Sequence, residues 1–109
     1  IPLEAIFAIM ATRLDAANAM DVHETVHYVF PDENRKFVVT VRRGIAEVVE
    51  GEPLPGTPEP VATLRVDALT FRQMATKVMS PVAALASGKL AVEGSWLGFL
   101  RFNRRFDLD

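Results

Sequence analysis

Residues 23–27, His23-Glu24-Thr25-Val26-His27, form an H-E-x-x-H string, the pattern that supports zinc-dependent peptide hydrolysis when it lies on a helix. One helical turn brings both histidines to one face, and the glutamate then acts as general base toward a metal-bound water. On a strand, residues four apart are separated by roughly 13 Å, too far to share a tetrahedral ion. The neighbours Val22, Thr25, Val26, Tyr28, Val29 and Phe30 are mostly β-branched or aromatic and Pro31 stops the run, so the composition predicts a strand. The chain has 2 histidines, which leaves no third imidazole, and no glutamate stands in an obvious downstream helix. The zinc peptidase is carried as an alternative. The expectation is that His23, Thr25 and His27 occupy the more polar face of a sheet strand and that the chain has no metal site.

Other routes to catalysis lack their residues. With 0 cysteines there is neither a disulfide framework nor thiolate chemistry, which suits a cytoplasmic setting. Ser80, Ser87 and Ser95 do not sit in a G-x-S-x-G elbow, and no glycine-rich phosphate loop follows a strand. A formal net charge of -2 lacks the basic excess of a nucleic-acid binder. Arg101, Arg104 and Arg105 cluster near Trp96, Phe99, Phe102 and Phe106. They fit either contact with an anionic headgroup or lipid surface, or an ordinary helix with solvated arginines opposite an apolar face.

The elements that would position these residues are legible from period and punctuation. Leu3, Ile6, Phe7, Met10, Leu14 and Ala17 make one apolar stripe, predicting a helix over 3–20 with Ile9 off the stripe and available to a partner. Strands are predicted over 22–30, 36–43 and 45–50, with Phe37, Val39 and Val41 facing one way and the turn cluster 31–34 and Gly44 at the reversals. The four prolines of 51–60 exclude pairing in a sheet and predict an exposed loop. A fourth strand over 61–66 leads through Asp67, a helix N-cap, to a helix over 68–78. Ser80-Pro81 opens a short helix to Ala86, 89–93 is a fifth strand, and Ser95 caps a last helix from Trp96 to Arg104. Half of the 109 residues are hydrophobic, enough for a single core in one domain. Glu4, Arg13 and Asp15 interrupt the first apolar stretch, so no membrane span is expected, nor does Ile1–Met10 carry the basic leader of a signal peptide.

Four helical segments bring much apolar surface, rich in Met and Phe, to one face of a five-stranded sheet. Such short helices either close over a filled core or leave a hollow for a ligand. Pattern alone leaves both open.

The stretch from Ala62 to Leu100 resembles the sterol carrier protein type 2 family. The A-T-L-x-[LV] strand at 62–66, a polar cap into a helix, a short helix opening near a proline, and Ser87-Gly88-Lys89-Leu90 with Val92 and Gly94 carry the likeness. Phe7–Asp15, Val26–Pro31 and Val41–Gly44 resemble, within it, the C-terminal domain of alkyl sulfatases, whereas the closing segment 103–109 departs from that subfamily's aromatic-rich end. The resemblance implies an α+β fold: a five-stranded mixed sheet, helices over one face, and an apolar tunnel between the layers. It implies a non-catalytic, cofactor-free module that binds a fatty acyl or alkyl chain, sterol or similar lipid, either as a carrier or as the substrate-recruiting end of an alkyl sulfatase. A start at Ile1 rather than methionine fits a C-terminal fragment with a catalytic domain before it. The residues expected to line the tunnel are Phe7, Met10, Phe71, Met74, Val78, Met79, Val82, Leu85, Trp96 and Leu100. The alternative is a structural or homodimerisation domain of the same fold with its interior packed shut.

Overall fold

The computed structural model describes residues 1–108. The β-branched and aromatic runs form β1 (His23–Phe30), β2 (Arg35–Arg42) and β3 (Ile45–Glu50), an antiparallel meander. Its second turn carries Arg43 at φ 52° and Gly44 at φ 75°, two successive left-handed residues that match the twist of a tight hairpin. β4 (Ala62–Val66) pairs parallel with β1, and β5 (Leu90–Gly94) pairs antiparallel with β4. The five-stranded sheet has the order β3-β2-β1-β4-β5, so its first strand in sequence lies at its centre.

The period-two alternation of β1 sorts its residues between two layers. Val26, Tyr28 and Phe30 are buried, with Val39 and Phe37 beside them on β2 and Ala62 and Leu64 on β4. Above them lie α1 (Leu3–Thr12), α2 (Ala68–Ala75), α3 (Pro81–Ala86) and α4 (Trp96–Arg104), which contribute Leu3, Phe7, Met10, Phe71, Ala84, Phe99 and Phe102 to the same core. The opposite face carries Thr25, His27 and Lys36, and there the Thr25 and Thr40 hydroxyls share a hydrogen bond of 2.9 Å. The proline-rich connection from β3 to β4 has to pass β2 and β1, and it docks where the Val61 N–H donates to the Thr25 carbonyl at 2.8 Å.

Three helix starts follow the predicted capping chemistry. The side chains of Asp67, Ser80 and Ser95 accept from the backbone N–H of Thr70, Ala83 and Gly98 at 3.2, 3.1 and 2.8 Å. Two predicted helices end early. The stripe over 3–20 stops at Thr12 because residues 13–15 leave it to pair with the C-terminal segment. Leu14 bridges Phe106, the Asp15 N–H donates to the Arg105 carbonyl at 2.8 Å, and the Asp107 N–H donates to the Arg13 carbonyl at 2.7 Å. A short 3-10 turn, Ala16–Ala19, follows. The helix read over 68–78 ends at Ala75, where Lys77 takes φ 65° and both Val78 and Met79 N–H groups fold back onto the Gln73 carbonyl at 2.8 and 3.1 Å.

Phe7 is wholly buried and meets four rings. It stacks on Phe37 and Phe71 at centroid separations of 4.4 and 5.0 Å and meets Tyr28 and Phe30 edge-on at 5.1 and 6.1 Å. Phe7→Ala is expected to lower the unfolding free energy by about 3–5 kcal/mol, read from urea denaturation. At Gly94, φ is +88° and a Cβ would stand 2.8 Å from the Val61 carbonyl oxygen, whereas at Gly88, φ +77°, it would meet nothing. Gly88→Ala is therefore expected to cost about 1 kcal/mol of backbone strain, and Gly94→Ala about 3 kcal/mol, because the contact is with backbone.

Candidate functional site

A cavity of about 530 Å³ lies between the sheet and the helical layer. Its floor comes from the centre of the sheet: Tyr28 of β1 and Leu64 of β4 project from neighbouring positions of the parallel pair. One wall is α1, through Ile6, Ile9 and Met10. The facing wall is α2 and the turn after it, through Phe71, Met74, Ala75 and Met79. Phe99 of α4 and Leu108 of the C-terminal segment close the third side. The inner residues Met10, Tyr28, Leu64, Phe71 and Phe99 are buried, while Ile9, Arg13, Thr76, Lys77 and Ser80 are exposed, so the hollow runs from solvent to the sheet.

Four of the expected lining residues, Met10, Phe71, Met74 and Met79, stand in this wall. The other six stand elsewhere. Phe7 fills the core one layer behind, between β2 and α2. Val78 and Val82 are 73% and 60% exposed and Leu85 also faces solvent. The early end of α2 turns Val78 outward, and α3 uses the small Ala84, not its larger residues, to pack inward. Trp96 and Leu100 are partly buried against the core, Trp96 with its ring 5.6 Å from that of Phe99, and neither lines the cavity. Sequence reasoning missed Ile6, Tyr28, Leu64 and Phe99 as lining. Ile9 carried a signal, being apolar on the polar side of its helix, and it joins Ile6 and Met10 of the stripe in the cavity wall.

Charge gathers at the exposed rim. Arg13, Arg72 and Lys77 border the cavity together with Asn103, and the Arg72 Nε donates to the Ile1 carbonyl at 2.9 Å. The clustered arginines of α4 are not part of it. Arg101 and Arg104 face solvent and Arg105, just past the helix, pairs with Glu24 at 3.2 Å, while Phe99, Phe102 and Phe106 point into the core.

α2 is anchored at its start by Asp67. Its carboxylate accepts from the Thr70 hydroxyl at 2.5 Å and from the Thr70 N–H, and these bonds hold the group below the usual carboxylate range. Asp32, from the first hairpin turn, accepts from the Ala68 N–H at 3.2 Å. Two carboxylates thus satisfy the first amides of the helix that supplies the cavity wall.

The H-E-x-x-H string lies on β1, His23 opposite Arg42 and His27 opposite Val38, so the helix that peptidase chemistry requires is not there. No group of three His, Cys, Asp or Glu residues among the described residues is placed to hold a metal. Burial, with a smaller contribution from Lys36, lowers the His27 pKa, and its Nε2 is buried with no partner among the described residues. The zinc-peptidase alternative is withdrawn on this geometry.

The Tyr28 hydroxyl is buried with no hydrogen-bond partner among the described residues, and burial pushes its pKa well above 10.0. Because the phenol stays neutral in the folded protein to a higher pH than in the unfolded chain, its contribution to stability is complete below pH 10 and lost as pH rises beyond it. Unfolding titrations from pH 9 to 12 are expected to show this alkaline loss in the native protein and a smaller one in Tyr28→Phe.

Among the described residues no helix is long and apolar enough to cross a membrane. No curated protein matches the chain in sequence. Among solved structures, two of the sec-alkyl sulfatase PisA1 are similar: a double mutant at TM-score 0.88 and the stereoselective inverting enzyme from Pseudomonas sp. at 0.84. Both are 22% identical, and the match covers 98% of this chain and 16% of theirs. The chain thus spans about a sixth of the length of these sulfatases. The palmitated SCP2L2 protein of Aedes aegypti is similar at TM-score 0.72 and 16% identity, over 95% of this chain and 93% of that one. The α+β arrangement, a five-stranded mixed sheet under helices, is that of the sterol carrier protein type 2 fold. The alkyl sulfatase C-terminal family profile matches residues 1–108, and with the fold in agreement the chain belongs to the alkyl sulfatase C-terminal domain family.

Proposed function

We propose that this domain binds the alkyl or acyl chain of an anionic amphiphile, tail inward, in the cavity above Tyr28 and Leu64, and does no chemistry itself. The observation that carries the reading is the cavity: about 530 Å³, walled by Ile6 and Met10 of α1, by Met74 of α2 and by Met79 of the turn after it, with its charged groups at the rim. That volume is within the range of small-molecule sites. Each methylene moved from water into such a wall contributes ~0.8 kcal/mol, so a twelve-carbon chain gains about 9 kcal/mol before association costs. Association costs of about 4 kcal/mol or more reduce that gain to about 5 kcal/mol, a Kd of ~0.2 mM, and each further methylene tightens it about fourfold, so chains of about fourteen carbons or more reach the micromolar range. Discrimination between chains is weak, since methylenes carry no direction. Arg13, Arg72 and Lys77 suit a carboxylate or sulfate held at the mouth.

Membership of the alkyl sulfatase C-terminal domain family and the fold shared with a palmitated protein support this reading. In a longer sulfatase the domain would gather the apolar part of the substrate for a preceding catalytic domain, and alone it would act as a carrier. The alternative of a structural or dimerisation domain requires an interior packed shut, and the hollow between α1 and α2 speaks against it.

Displacement of a fluorescent fatty acid tests the proposal. Saturated fatty acids of eight to fourteen carbons are expected to compete with Kd values falling about fourfold per added methylene. Met74→Asp, a charge in the wall, is expected to weaken binding at least about tenfold. Arg13→Ala with Arg72→Ala is expected to weaken dodecanoate but not dodecanol, and the difference is expected to shrink as salt rises. Failure of every long-chain ligand to bind below ~100 µM, where hydrocarbon burial predicts micromolar affinity, would remove the proposed role.

A further inference from the structure

The polar group that the alkyl-chain reading leaves unexplained is the Tyr28 hydroxyl. Tyr28 belongs to the cavity floor, is 2% exposed, and its oxygen has no hydrogen-bond partner among the described residues. Buried donors of this kind are rare, and each calls for an explanation. A bridging water is a poor one. Such a water needs two to four polar contacts, and the other buried residues of the wall, Met10, Leu64, Phe71 and Phe99, have no side-chain oxygen or nitrogen. A phenylalanine at this position would fill the same space without the unpaired hydroxyl. The donor is also kept: burial holds the phenol protonated far past neutral pH.

We infer that the occupant of this cavity carries an oxygen acceptor within its chain, a carbonyl, ether or hydroxyl, and that the Tyr28 hydroxyl donates to it. This rests on the reading that an alkyl chain enters the cavity, and adds to it the chemical class of the ligand. A head group held by the rim cations and an oxygen held at the floor are two fixed points on one chain. Together they select where along the chain the oxygen stands, a direction that methylenes alone do not supply. The hydroxyl is covered in the ligand-free protein, so a ligand oxygen reaches it only as side chains of the wall yield, and the flexible thioether chains of Met10, Met74 and Met79 are the groups suited to do so.

The test compares octadecanoate with a series of keto-octadecanoates, the ketone moved carbon by carbon, against the native domain and Tyr28→Phe. For ketones at one position or a short run of positions, the native domain is expected to bind at least about fivefold more tightly than the variant, the worth of one net hydrogen bond. Octadecanoate is expected to bind both alike. The chain has 1 tyrosine, so its ζ-carbon resonance reports directly on this hydroxyl and is expected to shift with those ketones and not with octadecanoate. The ligand-free variant is expected to be as stable as the native domain, because no protein bond is lost. If octadecanoate binds but no ketone position distinguishes native from variant, the Tyr28 assignment is overturned and the alkyl-chain reading stands. If the ligand-free variant is clearly less stable, the hydroxyl already has a protein partner and the assignment is likewise overturned. If no ligand binds either protein, both readings fall together.

Discussion

The packing of Phe7 between β2 and α2 sets the geometry on which the rest of the domain depends. One ring from α1 stacks on Phe37 of the sheet and on Phe71 of the facing helix, and touches Tyr28 and Phe30 edge-on. Offset and edge-on ring pairs have preferred separations, so the cluster acts as a spacer as well as a source of burial. It holds α1 and α2 at a distance fixed by aromatic thickness. Beyond the cluster, Ile9 on one helix and Met74 on the other stand in opposite walls, and Tyr28 and Phe71 of the cluster itself border the cavity that remains. A filled core and a hollow are thus produced by the same helices, on neighbouring faces.

Polar contacts hold the edges of this arrangement. Arg35 at the start of β2 reaches Glu4 on α1 and Glu50 on β3, at 2.5 and 2.9 Å, with Glu33 at 3.7 Å, and its guanidinium lies 5.0 Å over the Phe37 ring. These pairs are open to solvent and contribute little net stability individually. Their use is orientation: they hold the first turn of α1 against the sheet edge nearest the ring cluster. At the opposite end of α1, backbone bonds between 13–15 and 105–107 tie the helix exit to the chain terminus. The wall of the cavity is therefore secured at both ends by groups that take no part in lining it.

The distribution of polarity fits the proposed binding of a lipid without chemistry. The histidines and carboxylates lie away from the hollow: His23 and His27 on β1, His27 projecting to the far face of the sheet, and Asp67 committed to its helix cap. The inner wall offers dispersion and burial, which favour any chain of suitable length. In the proposed binding, specificity would come from the few polar atoms at the rim and from the Tyr28 hydroxyl.

Local chemistry was enough to read most of the fold from the sequence. Strand periods, the reversal at Gly44, the proline-rich connection and the caps Asp67, Ser80 and Ser95 depend on residues near one another in the chain, and the elements they predicted are found within a few residues. The failures are those where distant segments compete. The apolar stripe continued past Thr12, but the backbone at 13–15 found partners ninety residues away, which no local period records. The lining was half legible for the same reason. Met10, Phe71, Met74 and Met79 were identified by type, whereas Val78, Val82 and Leu85 share that type and face solvent. The sequence by itself determined which faces are apolar and that the H-E-x-x-H string lies on a strand. Which apolar faces touch and which stand apart was decided only in three dimensions, because a ring cluster assembled from α1, β1, β2 and α2 sets the gap between the helices and no single segment contains that distance.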